Sequence, residues 1–196
     1  MPDRGGRNRA KAPSHVVGFD DAPFAPAHRG DVLVVGAVYA GSRLTGIMSG
    51  KVRRDGSNAT RVLTRLVTGS RFAPQLQAVL LQGVALAGFN VVDLPRLHTA
   101  TGLPVIAVSR RQPNLPAIRD ALLKHVSGGP RKWRFIEALE PMRAAAGLYV
   151  QAVGISVEDA ERLIDAFAFN GRMPEPLRTA HLVAAGVGTG ESRHRA

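Results

Sequence analysis

Val79-Leu80-Leu81-Gln82-Gly83-Val84-Ala85-Leu86-Ala87-Gly88-Phe89-Asn90-Val91-Val92-Asp93 begins as a short apolar run, the pattern of a strand buried on both faces. It breaks at Gly83, passes a second glycine at Gly88 and picks up two polar residues, Asn90 and Asp93. An apolar strand, a glycine turn, a polar cluster and then a helix is how an α/β protein delivers chemistry to the carboxyl end of a central strand. Val16-Val17-Gly18-Phe19-Asp20-Asp21 has the same grammar and ends in two adjacent carboxylates. The two runs are expected to lie side by side and to put their ends into one site.

Working outward, residues 15–20 form a first strand, followed by a loop at Ala22-Pro23-Phe24-Ala25-Pro26, where two prolines exclude an interior strand. Asp31 to Ala40 is rich in β-branched residues, Gly41-Ser42 is a two-residue turn, and Arg43 to Val52 alternates as a third, antiparallel strand. Ser57 or Asn58 caps a helix running to about Gly69, with Val62, Leu63, Leu66 and Val67 at helical spacing. A fourth strand spans Gln77 to Gln82, a short helix starts near Asp93 with Pro95 in its first turn, and Leu103 to Ser109 is a fifth strand leading into Arg110-Arg111. Asn114 and Pro130 open further helices, Leu148 to Val153 is a short strand or extended segment, and Ser156 starts a helix with a capping-box pattern. A last helix runs from about Pro176 to Ala185. The order β-β-β-α-β-α-β, then helices, predicts a mixed five-stranded α/β sheet with helices on both faces.

One core is expected over residues 14–186, with 134–186 as a helical, more acidic part, a disordered basic arm at 1–13 and a flexible tail at 187–196. The net charge is +11, and residues 1–134 hold 20 Lys/Arg against 7 Asp/Glu while residues 135–191 hold 4 against 8. Of the 26 basic residues, 22 are arginine, whose planar fork matches phosphate oxygens, so a nucleic-acid partner is the natural inference. An Arg-rich composition alone is the competing explanation. Aromatics make up only 5% of the chain, which argues against base-stacking platforms. The absence of cysteine excludes a disulfide scaffold and a thiolate metal site. With no secretory h-region and no membrane-length apolar run, a cytoplasmic protein is expected. The sequence does not settle the oligomeric state.

Gly18-Phe19-Asp20-Asp21-Ala22-Pro23-Phe24, Asp55-Gly56-Ser57-Asn58-Ala59-Thr60, Gly88-Phe89-Asn90-Val91-Val92-Asp93 and Thr101-Gly102-Leu103-Pro104-Val105-Ile106 resemble the signature of a family of uncharacterised, largely archaeal proteins that is similar to endonuclease V. The resemblance covers about residues 14–125 and implies a ribonuclease-H-like fold. It also implies cleavage of DNA or RNA with Mg²⁺, or Mn²⁺ as a substitute, held by carboxylates on neighbouring strands. Laid on this chain, the endonuclease V pattern places a strand carboxylate at Asp20, a second acidic residue at Asp55, and an Asp-Gly pair on Gln82-Gly83. Its Pro-x-Ile-Gly-Val-Ala-Lys run falls on Pro104 to Arg110, with Arg110 in place of lysine. Gln82 is the main departure, because glutamine offers one neutral carbonyl oxygen where Mg²⁺ prefers charged ligands. No Pro-Tyr-Ile-Pro segment is present, so inosine specificity does not carry over.

The resulting expectations are Asp20, Asp55 and Gln82 as catalytic positions, Asp20, Asp21 and Asp55 as metal ligands, and Arg110, Asn90 and Asp93 as contacts to substrate or phosphate. Each has a structural competitor. Asp20-Asp21 could serve a turn, Asp55 could start a helix, Asp93 suits a helix N-terminus by the macrodipole alone, and Asn90 could close a turn. Arg131-Lys132-Arg134 reads as a solvated face, and His98 and His125 as structural or surface residues. Two functions stay open: a nuclease-like hydrolase, and a non-catalytic nucleic-acid-binding protein on the same fold.

Overall fold

The computed structural model describes residues 13–192, so the basic arm and the last four residues lie outside it. The first strands, β1 (His15–Asp21), β2 (Asp31–Ala40) and β3 (Arg43–Arg53), form an antiparallel meander. After α1 (Ala59–Thr68), β4 (Ala78–Gln82) returns parallel to β1, pairing Gly18 with Leu80 and Phe19 with Leu81. A small hairpin of β5 (Ala85–Leu86) and β6 (Asn90–Val91) follows, then α2 (Leu94–Thr101) and β7 (Val105–Ser109), which lies parallel to β4. Helices α3 (Leu115–His125) and α4 (Gly129–Glu137) pack on each other. The chain then re-enters the sheet through β8 (Arg143–Ala145) and β9 (Leu148–Val153), and ends in α5 (Val157–Phe167) and α6 (Glu175–Thr189). The sheet order is β3-β2-β1-β4-β7-β9-β8, which places β1 and β4 side by side in the interior, as expected. Both are buried along almost their whole length, which is why they read as unbroken apolar runs.

The sheet has seven strands where five were expected. β9 pairs antiparallel with β7, and the tight turn at Ala146-Gly147 folds β8 onto it. The acidic C-terminal part is therefore woven into the core rather than appended to it: Val150 and Leu148 are buried in the same cluster as β1 and β4. Helix α6 also runs four residues further than expected, past Gly186 and Gly188 to a left-handed Gly190. Packing on β1 and β2 overrides the weak helix propensity of those glycines. Among the described residues no helix is long and apolar enough to cross a membrane.

The two faces of the sheet carry different helices. Gly36 and Gly50 face Met48, Val62 and Leu66, so α1 covers the face that holds Phe19 and, two residues on, Asp21. Gly18 lies under α6 on the other face. A Cβ there would stand 2.5 Å from the Pro176 carbonyl carbon and 2.6 Å from the Leu177 nitrogen, so only glycine lets the helix sit this close. Asp20, two residues on from Gly18, shares that face.

Candidate active site

Strand alternation sends the two adjacent carboxylates in opposite directions at the same sheet edge. Asp20 points toward α6, is only 5% exposed, and places its Oδ2 2.8 Å from Nδ1 of His181. With a carboxylate as acceptor, the imidazole nitrogen is the donor. Continuing the β1–β4 register puts Gln82 beside Asp20 on this face. Gln82 Oε1 is buried and has no hydrogen-bond donor among the described residues, although such acceptors are normally satisfied. A cavity of about 400 Å³ opens next to it, lined by Gln82, Gly83, Ser109, Arg110, Arg111 and Met173. Arg110 lines this cavity and is exposed just beyond the end of β7.

Asp21 points to the α1 face. Burial, and then the charge of Asp20, push its carboxyl up to about 7, although the backbone N–H of Ala87 donates to it. Ala87 also joins this carboxylate to the third one, because its carbonyl accepts from the Asp55 backbone N–H at 2.9 Å. Both Ala87 (φ 48°) and Asp55 (φ 50°) sit in the left-handed region without being glycine. Two such residues bonded to each other form a strained patch of the kind that collects at functional sites.

Asp55 is held on every side. Its Oδ1 accepts from the Phe89 N–H at 2.8 Å, its Oδ2 pairs with Arg54 Nε at 3.2 Å, and its carbonyl accepts from Lys132 Nζ at 2.6 Å. Gly88 (φ 80°) faces Asp55 Oδ1 so closely that a Cβ would collide with it. Lys132 is 3% exposed, against its reading as part of a solvated basic face, and burial lowers its pKa while the charge of Asp55 opposes that. It is one face of an amphipathic helix turned inward, which a basic triplet does not reveal.

Asn90 is fully buried and its amide is committed to backbone and neighbour. It accepts from the Ala59 N–H at 3.0 Å and donates to the Arg53 carbonyl at 2.8 Å and Asn58 Oδ1 at 2.7 Å. It takes over the N-terminal capping of α1, where Asn58 makes no side-chain cap. Its side chain is therefore spent on holding the start of α1 and the loop that carries Asp55. Asp93 caps α2 by accepting from the Arg96 N–H at 3.0 Å and lines a different pocket, between α1, α2 and α4. The Asp20 partner not singled out from sequence is His181, which lies 161 positions away with no motif around it.

These donors bear on whether a Mg²⁺ ion suits the edge. Among the described residues no three Asp, Glu, His or Cys side chains converge on one point. A hard cation needs no such cage, since Mg²⁺ is commonly held by one or two carboxylates together with water and phosphate oxygens. Asp20 and the orphaned Gln82 carbonyl beside it on the α6 face are oxygen donors of the kind such an ion takes, while Asp21 stands at the same strand end on the opposite face. Asp55 is less available, with both oxygens already engaged.

A family model described as Endonuclease dU matches residues 13–188. A UPF0215 protein of Deinococcus radiodurans is 59% identical, with 91% of each chain covered, and one of Methanothermobacter thermautotrophicus is 41% identical over 93% of this chain and 92% of its own. Among solved structures, a protein of unknown function from Archaeoglobus fulgidus superposes with a TM-score of 0.82 at 31% identity, covering 88% of this chain and 97% of that one. The catalytic domain of human endonuclease V gives 0.53 at 18% identity, covering 85% and 79%. Endonuclease V of Ciona intestinalis, in complex with a 24mer DNA containing an inosine followed by a ribo-adenosine, gives 0.54 at 15%, covering 85% and 82%. The last two show a shared, ribonuclease-H-like fold. With the family model and the close relatives spanning nearly the whole chain, this protein belongs to the Endonuclease dU (UPF0215) family.

Proposed function

We propose that the chain is a nuclease-like protein that binds nucleic acid across the carboxyl edge of β1, β4 and β7 and hydrolyses a phosphodiester there with Mg²⁺. The observation that carries this reading is the buried Asp20 at the end of β1, held by His181, beside the unsatisfied Gln82 carbonyl on β4. Asp20 would hold the ion, with Gln82 as a neutral second donor beside it and with Asp21, across the strand end, and Asp55 as more distant carboxylates. A bound Mg²⁺ would supply charge stabilisation at the phosphoryl oxygens and a more acidic water. His181 orients Asp20, Arg110 offers a phosphate contact beside the cavity, and the Ala87–Asp55 patch fixes the wall opposite. The family description makes deoxyuridine-containing DNA the first substrate to try, and the DNA complex of the Ciona protein supports a nucleic-acid partner.

The second reading is a non-catalytic nucleic-acid-binding protein, and Gln82 favours it, because an amide there removes a charge that hydrolysis with two ions would use. Calorimetric titration with Mg²⁺ or Mn²⁺ at low salt, on wild type, Asp20→Ala and Gln82→Asp, separates the two. The same three proteins are then incubated with uracil-, inosine- and unmodified oligonucleotides. Metal binding and cleavage by wild type, lost in Asp20→Ala, support the nuclease. Binding only by Gln82→Asp, with EDTA-insensitive nucleic-acid affinity in wild type, supports the second reading.

A further inference from the structure

The pocket lined by Asp93 is more enclosed than the cavity at the sheet edge and has a volume of about 170 Å³. That is below the roughly 300 Å³ where sites for drug-sized ligands begin, and it suits a single small group. Three arginines from three helices meet around it: Arg61 of α1, Arg96 of α2 and Arg131 of α4. Among the described residues none of these guanidiniums enters an ion pair. Three like charges brought to one small pocket whose lining holds a single carboxylate, Asp93, leave an excess of positive charge there that an anion would relieve. Arg131 is held partly in place over the Phe135 ring, 5.9 Å from its centroid.

Two hydroxyls complete the lining. Thr60 Oγ1 accepts from the Asp93 N–H at 2.9 Å, so its own proton remains to be donated. Ser57, at the same end of α1, is exposed. Asp93 is the single carboxylate in the lining, and its Oδ1 is turned to the Arg96 N–H. Forked guanidiniums with hydroxyl donors and a small volume make the chemistry of a phosphate site.

We propose that this pocket is a phosphate subsite that takes a backbone phosphate of a bound nucleic-acid strand, away from the Asp20 edge. This rests on the nucleic-acid reading above. The strand is favoured over free phosphate because the loop 53–58 and the β5–β6 hairpin tie this pocket to the wall of the sheet edge: Asn90 and Asp55 join the two, and Ser57 and Thr60 flank the loop's far end. A strand lying across the edge can therefore set one phosphate here.

The test is fluorescence anisotropy of the full chain with a labelled single-stranded DNA 20-mer, at several salt concentrations. Wild type is compared with Arg61→Gln, Arg96→Gln, Arg131→Gln, the triple variant, and Arg43→Gln as a control at an exposed site on β3. A parallel calorimetric titration uses inorganic phosphate. The triple variant is expected to lose about tenfold in affinity at low salt and about 0.7 in the slope of log affinity against log salt, as for one single-strand phosphate contact. Arg43→Gln should lose little. A triple variant with wild-type affinity and slope overturns the proposal. If that variant also loses phosphate binding seen in wild type, the pocket serves a free phosphate, which overturns the strand assignment. An equal loss in Arg43→Gln refutes a localised subsite. If wild type binds no oligonucleotide, the nucleic-acid reading itself fails, a result distinct from wild-type binding that ignores the three arginines.

Discussion

Asp21→Asn is the perturbation that most directly reads the strain at the sheet edge. The Asp21 carboxyl is pushed from an ordinary 3.8 to about 7, first by burial and then by Asp20. A carboxyl with a higher pKa in the folded chain holds its proton more tightly there than when unfolded. The folded state therefore has its full advantage below pH 3.8, loses it progressively as pH rises toward 7, and carries the whole penalty of ionisation above 7. About 3 pH units at 1.36 kcal/mol each set a ceiling of about 4 kcal/mol. Solvent reaching the partly exposed carboxyl screens Asp20, so about 2–4 kcal/mol is expected to be released. Asparagine keeps the shape and the acceptor for the Ala87 N–H but cannot ionise. At pH 8 without metal, Asp21→Asn should melt about 4–16 °C above wild type, at roughly 2–4 °C per kcal/mol for a chain of this size. At pH 4 the two should nearly coincide. Millimolar Mg²⁺ should raise the wild-type midpoint and leave that of Asp20→Ala unmoved, since a ligand stabilises only the state that binds it. Parallel wild-type and variant stability curves from pH 4 to 8, or a variant less stable at pH 8, would refute the reasoning.

Three further substitutions probe how the edge is positioned. Gly18→Ala drives a methyl into the Pro176–Leu177 backbone, so α6 must shift; a loss of about 1–3 kcal/mol is expected in denaturant unfolding, together with a changed His181 imidazole signal in NMR. Asn90→Ala leaves the Ala59 N–H and the Arg53 carbonyl without their buried partner; about 2–4 kcal/mol should be lost, and hydrogen exchange should rise at the start of α1. Gly88→Ala meets both a left-handed backbone and Asp55 Oδ1, so it should cost at least about 1 kcal/mol and displace Asp55. Unchanged midpoints for Asn90→Ala or Gly88→Ala would mean the loop bearing Asp55 is not held by these contacts.

What the sequence made legible follows from how locally each feature is encoded. β1 and β4 are apolar runs ended by polar or glycine residues, so their identity, their parallel pairing and the edge they share could be read from a few neighbouring residues. β8 could not: its three residues become a strand only because β9 offers an open edge, and Leu148–Val153, expected as a short strand or extended segment, is fixed as β9 by pairing with β7. Asp20, Asp21 and Gln82 were visible as a group because a strand brings them to one end. Which face each one takes is a matter of parity, and it divides the group between the two layers of helices. His181 and Lys132 were out of reach, because their roles depend on which helix face the fold turns inward.

The Ala87–Asp55 contact shows the other side of this limit. Neither residue type suggests a left-handed backbone, and nothing in Val84–Gly88 or Arg53–Ser57 alone requires one. The conformation persists because the surroundings over-determine it: Asp21 takes the Ala87 N–H, Asp55 gives its N–H to the Ala87 carbonyl, Phe89 and Arg54 hold the Asp55 carboxylate, and Lys132 holds the Asp55 carbonyl. A turn used only to connect elements would relax through a glycine at either position. Here the strain is kept next to the pair of carboxylates that carry the proposed chemistry, and the same bonds that maintain it fix the distance between β1 and the loop after β3. That wall fixes Asp21 on the α1 face as His181 fixes Asp20 on the α6 face, so the end of β1 presents one held carboxylate to each side of the sheet.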